Sequence, residues 1–191
     1  MSTDEDDSST WARALAGDVT AFGAIFDRHR DRAFRHAVYH LGNREDAEDA
    51  TAAAFLELWR RRATVRVVDG SVLPWILVTT TNVARNIDRA RRRYRDVLRR
   101  LPRQAPSTEE AELLLQGRLD AQRRLAEAAP AIDRLGRTDR DLLMLTAVEE
   151  MPVATAAEAL GISAGAARTR LHRVKTRLRE ELGSAPAEVS S

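Results

Sequence analysis

Residues 153–183 read VATAAEALGISAGAARTRLHRVKTRLREELG, and this run decides the fold class. The spacing predicts a short helix ending at Leu160, a turn at Gly161-Ile162-Ser163 and a basic helix to Leu182. Gly161 supplies the positive φ that a tight inter-helix turn favours, and Ser163 stands where it would cap the second helix. At about 100° per residue, Ala167, Leu171, Val174 and Leu178 fall on one stripe that needs cover from neighbouring helices. The opposite face carries Thr169, His172, Arg173 and Thr176, with Arg168 at its edge. Helix, glycine turn and capped basic helix form the layout of a helix-turn-helix, whose second helix reads base edges in the major groove. A basic stripe by itself is more often a solvated face; the turn chemistry and the preceding helix move the reading to DNA. Ser163, Gly165, Arg168, Thr169, Arg170, His172 and Arg173 are therefore the candidate contacts of this half, with Arg170, Lys175, Arg177 and Arg179 better placed for phosphates.

Upstream, a helix is expected over 139–149, followed by a turn at Glu150-Met151-Pro152. The helical pattern from Asp120 is interrupted by Pro130 and Gly136. Pro102, Pro106 and the polar run Ser107-Thr108-Glu109-Glu110 mark a flexible linker over 101–118. Before it, Pro74 opens a helix that runs into seven arginines: Arg89, Arg91, Arg92, Arg93, Arg95, Arg99 and Arg100. Arg85, Arg89, Arg92 and Arg93 make a positive ridge on that helix, below Thr79, Thr80, Thr81, Asn82 and Asn86. Amides and hydroxyls beside a cationic ridge suit bases next to a phosphate track, though the threonines could equally bond back to backbone carbonyls. Thr79, Asn82, Asn86, Arg89, Arg92 and Arg93 are the candidate DNA contacts of this half.

A short helix is expected from Thr10 to Ala16, ended by Gly17, and two longer helices follow it before the arginine-rich one. Asp18 is placed to cap one that carries Phe22, Ile25, Phe26 and Ala33 inward and closes at Gly42. Asn43 is placed to cap the next, with Ala47, Ala50, Ala54, Phe55, Leu58 and Trp59 at helical spacing. The outer face of that second helix carries Asp49, Ala52, Ala53 and Leu56, which is either a quiet alanine-rich surface or a protein-docking face. The stretch from Arg62 to Ser71 reads as a loop with a turn at Asp69-Gly70.

Composition bounds the rest. The 191 residues are 43% hydrophobic, mostly alanine and aliphatics, and only 5% aromatic, which suits packed helices better than a sheet. Cysteine is absent, so disulfides, thiol nucleophiles and Cys-ligated metals are excluded. No apolar run nears the roughly 20 residues of a membrane span, so no membrane insertion and a cytoplasmic location are expected. Lys175 is the only lysine against a large arginine excess, and arginine is the better fork for phosphates and guanine edges. The expectation is an all-α chain of two small helical domains. A disordered acidic tail covers 1–8, a first domain 9–100, the linker 101–118, a helix-turn-helix domain 119–183 and a polar tail 184–191.

With these residues assembled, the chain resembles the extracytoplasmic-function class of bacterial RNA polymerase sigma factors over about residues 10–182. In the first half the resemblance rests on Ala47-Glu48-Asp49, Phe55-Leu56-Glu57-Leu58-Trp59, Pro74-Trp75-Ile76-Leu77, Asn82 and the run from Arg89. In the second it rests on Arg140-Asp141-Leu142-Leu143, Ala157 to Ser163, Gly165, Arg168-Thr169-Arg170-Leu171 and Arg173. The resemblance implies core RNA polymerase and promoter DNA as partners, an anti-sigma factor as regulator, and no cofactor or catalytic residue. It also implies that Asp49, Ala52, Ala53 and Leu56 face the polymerase clamp. Asn82, Asn86 and Arg89 would lie near the downstream promoter element, while Arg168, Thr169, His172 and Arg173 would read the upstream one. The loop 63–71 would hold a base turned out of the non-template strand, and the linker would thread toward the RNA exit path.

The chain departs from the family pattern at several positions. Ala52 and Ala53 stand where a Gln-Glu pair is usual, and Thr155 and Ala156 replace an acidic and a larger aliphatic residue. Gly136 stands for a common proline, and Thr79-Thr80-Thr81 is more polar than usual. These changes bear on polymerase affinity and promoter choice rather than on the fold. Two other readings compete. A stand-alone helix-turn-helix regulator would bind a duplex operator tightly as a dimer, but the Thr/Asn stretch and arginine ridge argue against it. A metal site could be drawn from His29, His36 and His40, which share one helical face; that face also carries Phe22, Ile25 and Ala33, so half-buried histidines are the better reading and no metal is expected.

Overall fold

The helix ends of the first unit lie where short-range chemistry sets them. In the computed structural model, which describes residues 6–98, 131–132 and 134–183, the chain divides into two compact units, Met1–Ala111 and Glu112–Ser191. The described part of the first holds α1 (Ser8–Leu15), α2 (Val19–Leu41), α3 (Arg44–Arg61) and α4 (Leu73–Leu98). Asp18 accepts from the Ala21 amide at 3.1 Å and starts α2. Gly42 ends it at φ 68, with its N–H on the Val38 carbonyl at 2.8 Å. Asn43 then accepts from the Asp46 amide at 2.9 Å and starts α3.

Two apolar clusters hold these helices together. Trp11, Ile25, Phe55, Leu58 and Ile76 anchor the first, with Phe22 edge-on to Trp59 and Phe26 edge-on to Phe55. Ala37, Ala47 and Ala50 form the second, flanked by Phe34, Val38, Leu41, Val83 and Ile87; the small side chains let α2 and α3 approach closely. Between α3 and α4 a turn of 3-10 helix (Arg62–Thr64) leads to a two-residue hairpin, Val68-Asp69-Gly70-Ser71. Asp69 and Gly70 take φ 53 and 74, the paired left-handed geometry of a type I′ turn.

In the second unit α5 (Arg137–Leu143) widens into a π-type turn over Met144–Val148, where an uninterrupted helix over 139–149 was expected. α6 (Val153–Ala159) and α7 (Ala164–Gly183) complete its described part. Ile132, Leu135, Leu143 and Val174 form an apolar cluster with Leu178 against it. Among the described residues there is no strand, which matches the all-α expectation. None of their helices is long and apolar enough to cross a membrane.

One expectation needs correction. Asp7 and Ser8 fall in the acidic tail expected over 1–8, yet α1 starts at Ser8 and the Asp7 side chain is fully buried. The composition of 1–8 carries only its charge; the groups that neutralise Asp7 lie on α2 and before α4, far along the chain. Residues 1–5, the linker 101–118 and the tail 184–191 lie outside the described residues.

Candidate nucleic-acid interface

α6 and α7 are joined by a turn whose bonds are all local. The Gly161 amide reaches the Glu158 carbonyl at 3.0 Å and the Ile162 amide the Ala157 carbonyl at 2.9 Å, a Schellman ending that needs the φ of 67 at Gly161. Ser163 Oγ accepts from the Ala166 amide at 3.2 Å and caps α7. Ala167, Leu171 and Val174 are buried, so α7 can present only its other face. Arg168, Thr169, His172 and Arg173 are all exposed there, as is Gly165. Among the described residues, Arg168, His172 and Arg173 have no ion pair or hydrogen bond to a side chain. Thr169 Oγ1 bonds back to the Gly165 carbonyl at 3.1 Å.

Arg170 behaves differently from its neighbours. Its guanidinium pairs with Asp139 at 2.7 Å and so ties α7 to α5. Arg177 likewise meets Glu181 at 2.8 Å, and Arg134 meets the same carboxylate at 3.0 Å. The hydrogen bond from Arg177, helped by both charges, lowers the Glu181 carboxyl below its ordinary range.

On α4 the candidate residues separate by depth. Thr79 and Asn82 are half-buried, while Asn86, Arg89, Arg92 and Arg93 are exposed. Arg89 donates to Asn86 at 2.9 Å, and Arg92 pairs with Asp88 at 2.7 Å one turn back. Arg91 reaches across to Asp46 at 2.6 Å and fixes α4 to the start of α3. Thr80 is fully buried and bonds back to the Ile76 carbonyl at 2.9 Å. Thr81 is also buried, 2.8 Å from His36 Nε2 and 3.3 Å from His40 Nε2. The threonine stretch therefore faces mostly inward. Arg99 and Arg100 lie outside the described residues.

The three histidines serve packing. His29 and His36 are buried rather than half-buried, each with a polar partner, and His40 is partly covered. Among the described residues no group of three metal-ligating side chains comes together. On α3, Asp49, Ala52 and Leu56 are exposed, with Leu56 at 54%, and Ala53 is half-buried. A large aliphatic side chain left half in water beside two alanines makes a shallow apolar surface.

Asp7 is the residue that the periodicity and spacing of the sequence could not reveal. Its carboxylate accepts from Arg28 at 2.6 Å, His29 Nε2 at 2.7 Å, Ser71 Oγ at 2.7 Å and the Val72 amide at 3.0 Å. A carboxylate can only accept, so the His29 proton sits on Nε2. Burial alone would raise this carboxyl, but the hydrogen bonds from His29, Ser71 and Val72, with the charge on His29, outweigh it and hold it well below the ordinary range.

Comparison with known proteins adds to this geometry. Residues 25–96 match the model of sigma-70 region 2, and residues 127–178 match that of sigma-70, region 4. The chain is 31% identical over 180 residues to the RNA polymerase sigma factor NccH of Alcaligenes xylosoxydans xylosoxydans, covering 90% of this chain and 92% of that one. It is 28% identical over 177 residues to the ECF RNA polymerase sigma factor SigE of Mycolicibacterium smegmatis, covering 90% of this chain. There it spans only 65% of the relative's length. The fold matches that of the sigma factor RpoE, solved with the anti-sigma factor NepR from Bartonella quintana. The TM-score is 0.58 at 18% identity, over 88% of this chain and all of that one.

Proposed function

Because the chain belongs to the RNA polymerase sigma factors, in their extracytoplasmic-function class, we propose that it directs core RNA polymerase to a set of promoters and helps open them. The observation that carries this reading is the pairing, in one chain, of two helices that each expose a row of cationic and polar side chains. α7 offers Arg168, Thr169, His172 and Arg173 from a capped helix-turn-helix, suited to duplex base edges. α4 offers Asn86, Arg89, Arg92 and Arg93, suited to a phosphate track beside a melted segment. A stand-alone operator binder would have use for the first set alone.

In this reading Asp49, Ala52, Ala53 and Leu56 dock the first unit on the polymerase clamp, with Leu56 as the apolar anchor. Thr79 and Asn82 flank the strand path; the loop 63–71 holds a base turned out of the stack. Capture of unstacked bases offsets the few kcal/mol of unpairing, so the chain contributes binding rather than bond chemistry and requires no nucleotide hydrolysis for opening. Arg170 supports α7 through Asp139 more than it grips DNA. An anti-sigma factor would hold the chain inactive by covering its polymerase-facing surface, and the action is cytoplasmic.

The test adds the purified chain to sigma-free core polymerase and follows co-migration and promoter opening. Core binding with opening is expected. Tight duplex binding by the chain alone, with no core binding, would replace this reading by the stand-alone regulator. Core binding without opening would leave promoter melting unsupported and direct attention to Thr79–Thr81.

A further inference from the structure

We infer that Asp7 is a positioning residue for strand capture: it sets the Val68–Ser71 turn and, through it, the surface of the first unit that receives the unpaired DNA strand. The inference rests on the role proposed above for the loop 63–71. Its physical content is in the hydrogen bonds. By itself the turn closes with two backbone bonds, Val68 N to the Ser71 carbonyl at 2.9 Å and Ser71 N to the Val68 carbonyl at 3.1 Å. A two-residue hairpin with so little pairing is marginal in water. Asp7 adds three ties to it. Its amide donates to the Gly70 carbonyl at 2.7 Å, and its carboxylate takes the Ser71 hydroxyl and the Val72 amide.

The same Ser71 Oγ accepts from the Leu73 amide at 3.1 Å, so the first turn of α4 is referenced to the same carboxylate. Arg28 and His29, both on α2, fix that carboxylate from the other side. A single buried anion thus locks α1, α2, the turn and the start of α4 into one geometry. Asp6 crowds Gly70: a Cβ there would sit 3.3 Å from Asp6 Oδ1, at a φ of 74 that L side chains rarely adopt. What remains exposed is the rim of the turn, including Arg66 and Asp69. A base held there is read by groups whose placement depends on the backbone beneath them, and small losses of preorganisation blur such reading.

The experiment separates this from a merely structural role. Ser71→Ala removes one donor to Asp7 and leaves the contacts from Arg28 and His29, so the unit stays folded even if Asp7→Asn does not. Amide exchange at Val68, Ser71 and Val72 is measured alongside promoter opening by holoenzyme on templates differing only at the captured base. In Ser71→Ala, exchange at those amides should rise about ten-fold or more relative to α2 and α3, and the preference for one base should flatten several-fold; Asp7→Asn, where it folds, should do the same. Unchanged exchange overturns the inference, whatever opening does. Loosened amides with an intact base preference also overturn it, provided that Gly70→Ala or Arg66→Ala, with Asp7 in place, does alter that preference. If neither of those changes has any effect, the role of the loop fails and the inference falls with it.

Discussion

The two units answer their charges differently. On α4 of the first, Arg89, Arg91 and Arg92 each have an intramolecular partner in Asn86, Asp46 and Asp88. On α7 of the second, Arg168, His172 and Arg173 have none among the described residues, while Arg170 pairs with Asp139 and Arg177 with Glu181. Exposed pairs such as Arg92–Asp88 are worth only about 0.2–1 kcal/mol, so phosphates can displace them at little cost. The α4 row is thus a ridge held in shape by the chain itself, whereas Arg168, His172 and Arg173 on α7 stand open; if both bind DNA as proposed, the first must exchange partners and the second need not. Polar contacts in the interior of the first unit add to this, since Asp7, His29, His36 and Thr81 tie α1, α2 and α4 together.

The largest expected effect separates the units outright. Asp7→Ala leaves Arg28 and His29 facing a buried void and should cost the first unit about 3–5 kcal/mol, the usual loss when one partner of a buried pair is removed. Unfolding followed by probes in each unit should show the second unchanged; a shift in both would deny their independence. The pH dependence has a definite sign. The Asp7 carboxyl is held below its unfolded value of about 3.9, so its contribution is whole above that pH and is lost as pH falls through the folded value. The stability gap between the wild type and Asp7→Asn should therefore shrink on acidification below about pH 4, and a constant gap would refute it.

Next in size, Arg173→Ala should cost about 1–3 kcal/mol at one promoter position if the side chain grips a base edge. Binding measured across single-base promoter variants reports this directly, and uniform weakening would make Arg173 a phosphate contact instead. Arg170→Ala is the control within the same helix, expected to lower the stability of the second unit while leaving base preference in place. The smallest effect tests the held ridge. Asp88→Ala removes one partner of Arg92 and a nearby negative charge, so DNA affinity should rise by about 0.3–0.5 kcal/mol at low salt and return to the wild-type value at high salt. A salt-independent change would mean that Asp88 acts on the shape of α4.

How much of this was legible in the sequence follows from the range of each interaction. Asp18, Asn43 and Ser163 cap, and Gly42 and Gly161 close, because those bonds join residues a few positions apart and obey local rules. The Asp69-Gly70 turn was legible for the same reason. The outward set on α7 followed from one buried stripe and helical periodicity. Thr80 and Thr81 were ambiguous, since periodicity places a hydroxyl on a face but does not say whether a histidine 41 or 45 residues away will meet it. Asp7 is not legible in the sequence, because its acidic neighbours dominate the composition while its partners lie 21 to 65 residues downstream. The π-type turn at Met144–Val148 leaves no mark that helical spacing would detect.

That long reach also sets an order of events during folding. Residues 7 and 71 are 64 apart, so their contact closes a long loop, whereas α2, α3 and α4 can meet through shorter ones. The contact should form late, after the rate-limiting step has brought those helices together. Weakening it with Ser71→Ala should then speed unfolding and leave the refolding rate nearly unchanged, which stopped-flow chevrons of the chain would reveal in their unfolding arm. The turn would come free many times before the helices do, and the lifetime of its anchored form would be limited by a single carboxylate.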